Sequence, residues 1–293
     1  MATVFLHPGG WRYEAIANWL SALARHCREH EVRVGCCPAD VRDGDVALAV
    51  ATADLYLRDL LDQHLVALAG RGVPFGVLHN NDGVPTPGRY PSFCWTAQAV
   101  RANRAYGPEL VRMPVFGPLP GVDREMCPSA TRVFTFGHLE PKKCVVEMAL
   151  WARGAGLSFT VLTPNVLRGL YARHVKECWR AGASVVTHPW RDRVEDLASL
   201  VRPATHFLFV LPPSRGGAGG SPTSPRFAGL FGRPVVVVDD EDTYAQDRYH
   251  VFDSLGSIDP DALPGMRPPC YDWSPDAYVG HLRARVRDFW GEP

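Results

Sequence analysis

Lysine is nearly missing from this chain: of 31 basic residues among 293, only Lys142, Lys143 and Lys176 are lysines. Acidic residues also number 31, so no bulk charge holds the protein on nucleic acid or an anionic bilayer. No stretch approaches the roughly 20 apolar residues of a membrane-spanning helix. Residues 1–10, MATVFLHPGG, run from a short apolar segment into a turn, with no basic segment ahead of a long apolar core. These absences predict a cytoplasmic protein with no membrane span. The eight cysteines include no C-x-x-C pair and no alternation with histidine at zinc-ligand spacing. They read as buried free thiols in a reducing compartment and not as zinc ligands. No Gly-x-Gly-x-x-Gly follows the first strand with an acidic partner downstream, which argues against a dehydrogenase.

What is present is the composition of a globular enzyme, 46% apolar and 21% charged, at a length that accommodates two domains. Thr3 to Leu6 reads as a strand, and Tyr13 to Cys27 as a helix with Ile16, Trp19, Leu20 and Leu23 at helical spacing. Strands follow at Glu31–Gly35 and Val46–Ala51, a helix over Leu55–Ala69 capped by Gly70, and a strand over Val73–His79. Residues 113–129 hold four prolines and no periodicity, so the domain linker falls there. The alternation then restarts. Strands are expected at 132–136, 157–162, 183–187, 206–211 and 234–238, with helices over 143–155, 166–180, 194–201 and a short one ending at Leu230. Such alternation means parallel sheets covered on both faces. Ser274 as N-cap, Pro275 at the first helical position and the stripe Tyr278, Leu282, Val286, Phe289 and Trp290 predict a final helix docked on a sheet.

Two segments carry the chemistry. Residues 134–144, Phe-Thr-Phe-Gly137-His138-Leu-Glu-Pro-Lys142-Lys143-Cys144, place a glycine-led loop between a strand and a helix start. Unpaired amides and the positive end of a helix dipole collect there and favour a diphosphate. Lys143 would add a full charge, and His138 a further donor. Residues 211–235 hold four glycines within five residues, then Ser221, Thr223 and Ser224 ahead of a helix, with Arg226 one turn in. Glycines let a backbone approach a ligand, hydroxyls cap the helix and bind phosphate oxygens, and an arginine can bind phosphate with two donors. The acidic run Asp239 to Asp242 reads as a solvated turn and not as a metal motif.

In this order, about 80 residues apart, the two segments give a chain that resembles the donor domain of GT-B glycosyltransferases, especially the large retaining family 4 that includes sucrose and glycogen synthase-like enzymes. The family pattern Gly-Arg-Leu-x-x-x-Lys-Gly is similar to residues 137–144, with His138 for arginine and Cys144 for glycine. Pro213-Ser214, the glycine run and Gly232-Arg-Pro-Val235 resemble its later pattern, and residues 118–123 its interdomain stretch. The family's two glutamates fall at Phe227 and Gly219, so both carboxylates are missing here.

The resemblance implies two doubly wound Rossmann-like α/β domains facing a cleft: 1–120 on the acceptor side, 121–270 for the donor, and a helix over 271–293 returning to the N-terminal domain and packing across both. It implies metal-independent transfer of a hexose-like group from a nucleotide diphosphate sugar, a UDP-sugar such as UDP-glucose, to a hydroxyl, with no separate cofactor. Donor contacts are expected from Gly9, Gly10, Gly137, His138, Lys143, Ser221, Thr223, Ser224 and Arg226, and chemistry at the acceptor from His79 or Asp82. The acceptor could be a small molecule, a glycan or hydroxymethylated DNA, the last along Arg12, Arg58, Arg89, Arg101, Arg104 and Arg112. Nucleotide-sugar 2-epimerases and non-catalytic binding modules of the same fold are the other readings.

Overall fold

A computed structural model describes the chain except for residues 8–13, 52–54, 80–89, 96, 112, 115, 117–118, 120–129, 138, 140–142, 165–169, 189–193, 212–223, 240–248, 270–273 and 292–293. At 14–15, 55–58, 97–98, 102, 106, 170 and 194–195 the backbone alone is described. The chain divides into two compact units, the first formed by the described parts of 1–114 and 273–293, the second by those of 115–213 and 224–272.

In the first unit β1 (Thr3–Leu6), α1 (Glu14–His26), β2 (Val32–Gly35), β3 (Val46–Ala51), α2 (Leu55–Gly70), β4 (Phe75–His79), β5 (Ser92–Cys94), α3 (Ala97–Ala102) and β6 (Glu109–Leu110) follow in order. The six strands form one sheet, β2-β1-β3-β4-β5-β6, parallel throughout. Every residue of β3 is buried, as both faces of a parallel sheet demand, which explains its uninterrupted VALAVA sequence. The α2 terminus departs from expectation. The helix runs through Gly70, and Gly72, at φ +67°, takes the left-handed turn, with its amide on the Ala69 carbonyl and Val73 N on that of Leu68. Of two glycines so close together, only the backbone decides which one caps.

The second unit holds β7 (Arg132–Phe136), α4 (Val145–Gly154), β8 (Ser158–Thr163), α5 (Leu170–Ala181), β9 (Ser184–Thr187), α6 (Ala198–Val201), β10 (His206–Leu211), α7 (Ser224–Ala228), β11 (Val235–Asp239) and β12 (His250–Phe252). Its sheet is also parallel, in the order β12-β11-β10-β7-β8-β9. A cluster of Phe136, Phe207, Phe209 and Phe231, with ring centroids 5.6 to 6.4 Å apart, packs on it. The helix expected over 194–201 is a 3-10 turn, Val194–Leu197, followed by the single α-turn of α6. Asp239, read as part of a solvated turn, is instead buried as the last residue of β11.

The final helix, α8 (Pro275–Trp290), belongs to the first unit. Ser274 Oγ accepts from Ala277 N at 3.1 Å and Pro275 opens the helix, as expected. Its buried face is Tyr278, Val279, Leu282 and Val286, worth about 1.5–3 kcal/mol for each large apolar side chain removed from water. Phe289, on the same stripe, is half exposed, whereas Trp290 packs on Phe75 with ring centroids 5.0 Å apart and donates from Nε1 to the Phe75 carbonyl at 2.8 Å. Trp95 Nε1 donates to the Tyr278 hydroxyl at 2.8 Å, and Trp19 packs edge-on against both rings. Gly76 admits the helix to β4, since a Cβ there would stand 2.9 Å from Val286 Cγ2. The Asp276 carboxylate accepts from the amides of Arg28, Glu29 and His30 at 2.8 to 3.2 Å, joining α8 to the loop after α1.

Candidate functional site

In the second sheet the chain leaves β7 toward β8 and β9 on one side and returns through β10 toward β11 and β12 on the other. The adjacent carboxyl ends of β7 and β10 are therefore the switch point, where open parallel sheets bind ligands. The two sequence segments singled out for chemistry are the connections that leave those two strand ends.

Three residues from them converge. Gly137, the first residue after β7, has φ +134°, a conformation that side chains rarely adopt. A Cβ built on it would meet Ser224 Oγ at 3.2 Å and Lys143 Nζ at 3.3 Å. The ammonium and the hydroxyl thus flank one gap that only glycine leaves open. Ser224 is the first residue of α7, and Lys143 precedes α4 by two residues; both are half-buried. A cation, a hydroxyl donor and a bare backbone around a gap suit a phosphate oxygen. His138, Ser221 and Thr223 lie outside the described residues.

Cys144 takes a conformation that glycine adopts without strain. It is the N-cap of α4 at φ 51°, ψ 33°, left-handed, and among the described residues it is the non-glycine with positive φ. Burial pushes its thiol pKa up, with the Glu147 charge adding to the effect.

Arg226 is fully buried, its guanidinium carbon 6.0 Å from the centroid of the Tyr249 ring, while the Tyr249 hydroxyl donates to the Pro225 carbonyl at 3.2 Å. Arg226 lies on α7 with its side chain in the interior.

In the first unit His79 ends β4 with no exposed surface, and burial drives its pKa down to about 4. The imidazole is neutral at physiological pH. Gly9, Gly10 and Asp82 lie outside the described residues. Sequence reasoning passed over His7, which follows β1, is 2% exposed and is likewise held below its ordinary pKa by desolvation. The signal was available: His7-Pro8-Gly9-Gly10 puts an imidazole at the first strand's carboxyl end, directly before the glycine turn. His7, Ser21, Arg33, Cys36, Asp40 and Arg42 line a cleft of about 670 Å³ in this unit.

The cysteines correct one expectation. Cys94 and Cys178 are buried, but Cys36 is exposed and Cys37 half-buried on the turn after β2. Of the arginines considered for a DNA acceptor, the side chains of Arg101 and Arg104 are described, both exposed around α3; the other four lie outside the described side chains.

Neither a protein-family model nor a curated protein sequence matches the chain. Solved structures do. AviGT4, a glycosyltransferase involved in avilamycin A biosynthesis, matches with a TM-score of 0.62 at 15% identity, over 99% of this chain and 98% of that one. A UDP-forming α,α-trehalose-phosphate synthase from Burkholderia xenovorans, in complex with glucose-6-phosphate, matches at 0.50 and 15%, over 94% and 74%. The apo structure of OtsA matches at 0.50 and 12%, over 95% and 73%. At these identities the likeness is one of fold: two parallel six-stranded α/β units, the GT-B architecture, in a divergent sequence. Among the described residues no helix is long and apolar enough to cross a membrane.

Proposed function

We propose that the protein is a glycosyltransferase that moves a hexose-like group from a nucleotide diphosphate sugar to a hydroxyl. The observation that carries this reading is the convergence of Gly137, Lys143 and Ser224 at the β7/β10 switch point. Departure of the nucleoside diphosphate is the costly event in such a transfer, because negative charge grows on the bridging oxygen as the glycosidic bond breaks. A fixed ammonium and hydroxyl around a glycine gap oppose that charge without reorganising. Lys143 neutralises the diphosphate directly, Ser224 donates one hydrogen bond, and Gly137 keeps the approach clear. This set supplies the leaving-group stabilisation that a divalent ion gives in metal-dependent transferases, so the reaction is proposed to run without one.

Uridine is the proposed base, in keeping with the UDP-forming synthase among the structural relatives. The acceptor hydroxyl is proposed to be deprotonated, or its sugar partner steadied, by His79 or Asp82, the first of them buried at the end of β4.

Thermal denaturation of the whole chain with UDP, GDP, dTDP, ADP and UDP-glucose tests the donor half of the reading. A hundredfold excess over Kd stabilises by about 2.7 kcal/mol. Lys143→Ala is expected to abolish that stabilisation while leaving the unliganded melting point within a degree or two. Equal stabilisation of parent and variant would remove Lys143 from the donor site, and the reading with it.

A further inference from the structure

The turn after β2 holds a second cluster that the transfer chemistry does not use. The sulfurs of Cys36 and Cys37 and a carboxylate oxygen of Asp40 lie within 4.8 Å of one another. Around a tetrahedral zinc ion, with Zn–S bonds of about 2.3 Å, ligand atoms stand about 3.5–3.8 Å apart. Cys37 Sγ and Asp40 Oδ2 already stand at 3.6 Å.

The carboxylate is held in place. Asp40 Oδ2 accepts from Cys36 N at 2.8 Å and Cys37 N at 3.0 Å. Gly35 leaves it room: a Cβ there would run into Asp40 Cβ at 2.7 Å and Oδ2 at 2.8 Å. The turn's carbonyls are tied down by two arginines, Arg33 Nη1 on Asp40 O at 3.2 Å, and Arg71 on Pro38 O and Val41 O at 2.7 Å each. An anchored loop presents its ligands at low ordering cost, as outer-shell partners of metal sites do. Cys36 and Asp40 also line the cleft beside His7.

We propose that Cys36, Cys37 and Asp40 form a binding site for a thiophilic divalent cation, zinc or a chemical equivalent. Two sulfurs and one carboxylate select against magnesium and calcium, which take oxygen ligands. On binding, each thiol releases its proton to solvent and each sulfur donates a lone pair to the metal; nothing is oxidised or reduced. Three protein ligands leave the fourth position to water at the cleft, the arrangement of an open rather than a closed zinc site. Lys143 and Ser224 belong to the other unit.

The test is titration of the reduced full-length protein with Co2+, followed by the sulfur-to-cobalt charge-transfer band in the near ultraviolet. The band should saturate at one equivalent and bleach when Zn2+ is added. Cys36→Ala and Cys37→Ala should each weaken binding by at least the roughly 10–100-fold that losing an outer-shell partner costs. In the parent protein alone, Zn2+ should protect both thiols from iodoacetamide, as read by peptide mass spectrometry, so the result does not depend on a variant folding. Absence of the band, a band unchanged in the double alanine variant, or labelling of Cys36 and Cys37 at the same rate with and without Zn2+ would each overturn the proposal.

Discussion

Acid should weaken this protein well before its carboxylates protonate, and His79 sets the size of one contribution. In the unfolded chain its imidazole titrates near the ordinary value of 6.5; in the fold, burial lowers it to about 4. Between those values the unfolded state holds a proton that the folded state does not, so stability falls as pH drops through the window. At 1.36 kcal/mol per pK unit, this one residue accounts for about 2 kcal/mol between pH 8 and pH 5, and about 1 kcal/mol per pH unit in mid-window. His7, His64 and His206 are also held below 6.5, each chiefly by desolvation, and add to the same slope. Urea unfolding of parent, His79→Gln and His79→Leu from pH 8 to pH 5 reads this directly. The parent's midpoint should fall more steeply than either variant's by about one bound proton, whatever the variants lose at pH 8. If parent and variants lose the same stability over that interval, the buried neutral imidazole is not what the structure says it is.

Gly137→Ala forces a Cβ into the gap between Lys143 and Ser224 at φ +134°; it should cost about 1–3 kcal/mol and remove nucleotide binding even where the protein still folds, as calorimetric titration with UDP would show. Cys144→Gly relieves a left-handed residue and should raise stability by about 1 kcal/mol, a positive shift of the urea midpoint at unchanged slope. Asp276→Ala removes the carboxylate shared by three mostly exposed amides of residues 28–30 and should cost about 1 kcal/mol by thermal unfolding near neutral pH. Burial of Asp276 favours its protonated form, but those amides outweigh it and hold the pKa down. Its contribution is therefore present above the ordinary carboxylate range and lost as pH falls through the lowered value.

The long parallel strands were legible because burial on both faces leaves a continuous apolar run: β3 and β10 occur at the residues expected, and β1 and β7 likewise. β5, β6 and β12 were not, since two or three residues such as Glu109–Leu110 carry no periodicity and are strands only through pairing with neighbours. The meeting of Lys143 with Gly137 was legible as local sequence. That Ser224, more than 80 residues on, reaches the same gap follows from the parallel pairing of β7 with β10, which no local pattern encodes. Arg226 shows the limit: one helical turn past a glycine loop, spacing offers it to a ligand, while packing draws it beneath Tyr249. The adjacent cysteines escaped because spacing rules look for separated pairs, whereas Cys36 and Cys37 are brought to Asp40 by a turn.

The placement of α8 has a consequence for biosynthesis. Trp19, Trp95 and the floor of β4 at Gly76 are covered by Tyr278 and Val286, which emerge from the ribosome more than 180 residues after Trp95. The first unit is thus completed only after the second has been made. Until α8 is made, Trp19 and Trp95 lack that cover, and a chain terminated ahead of Ser274 would leave them without it.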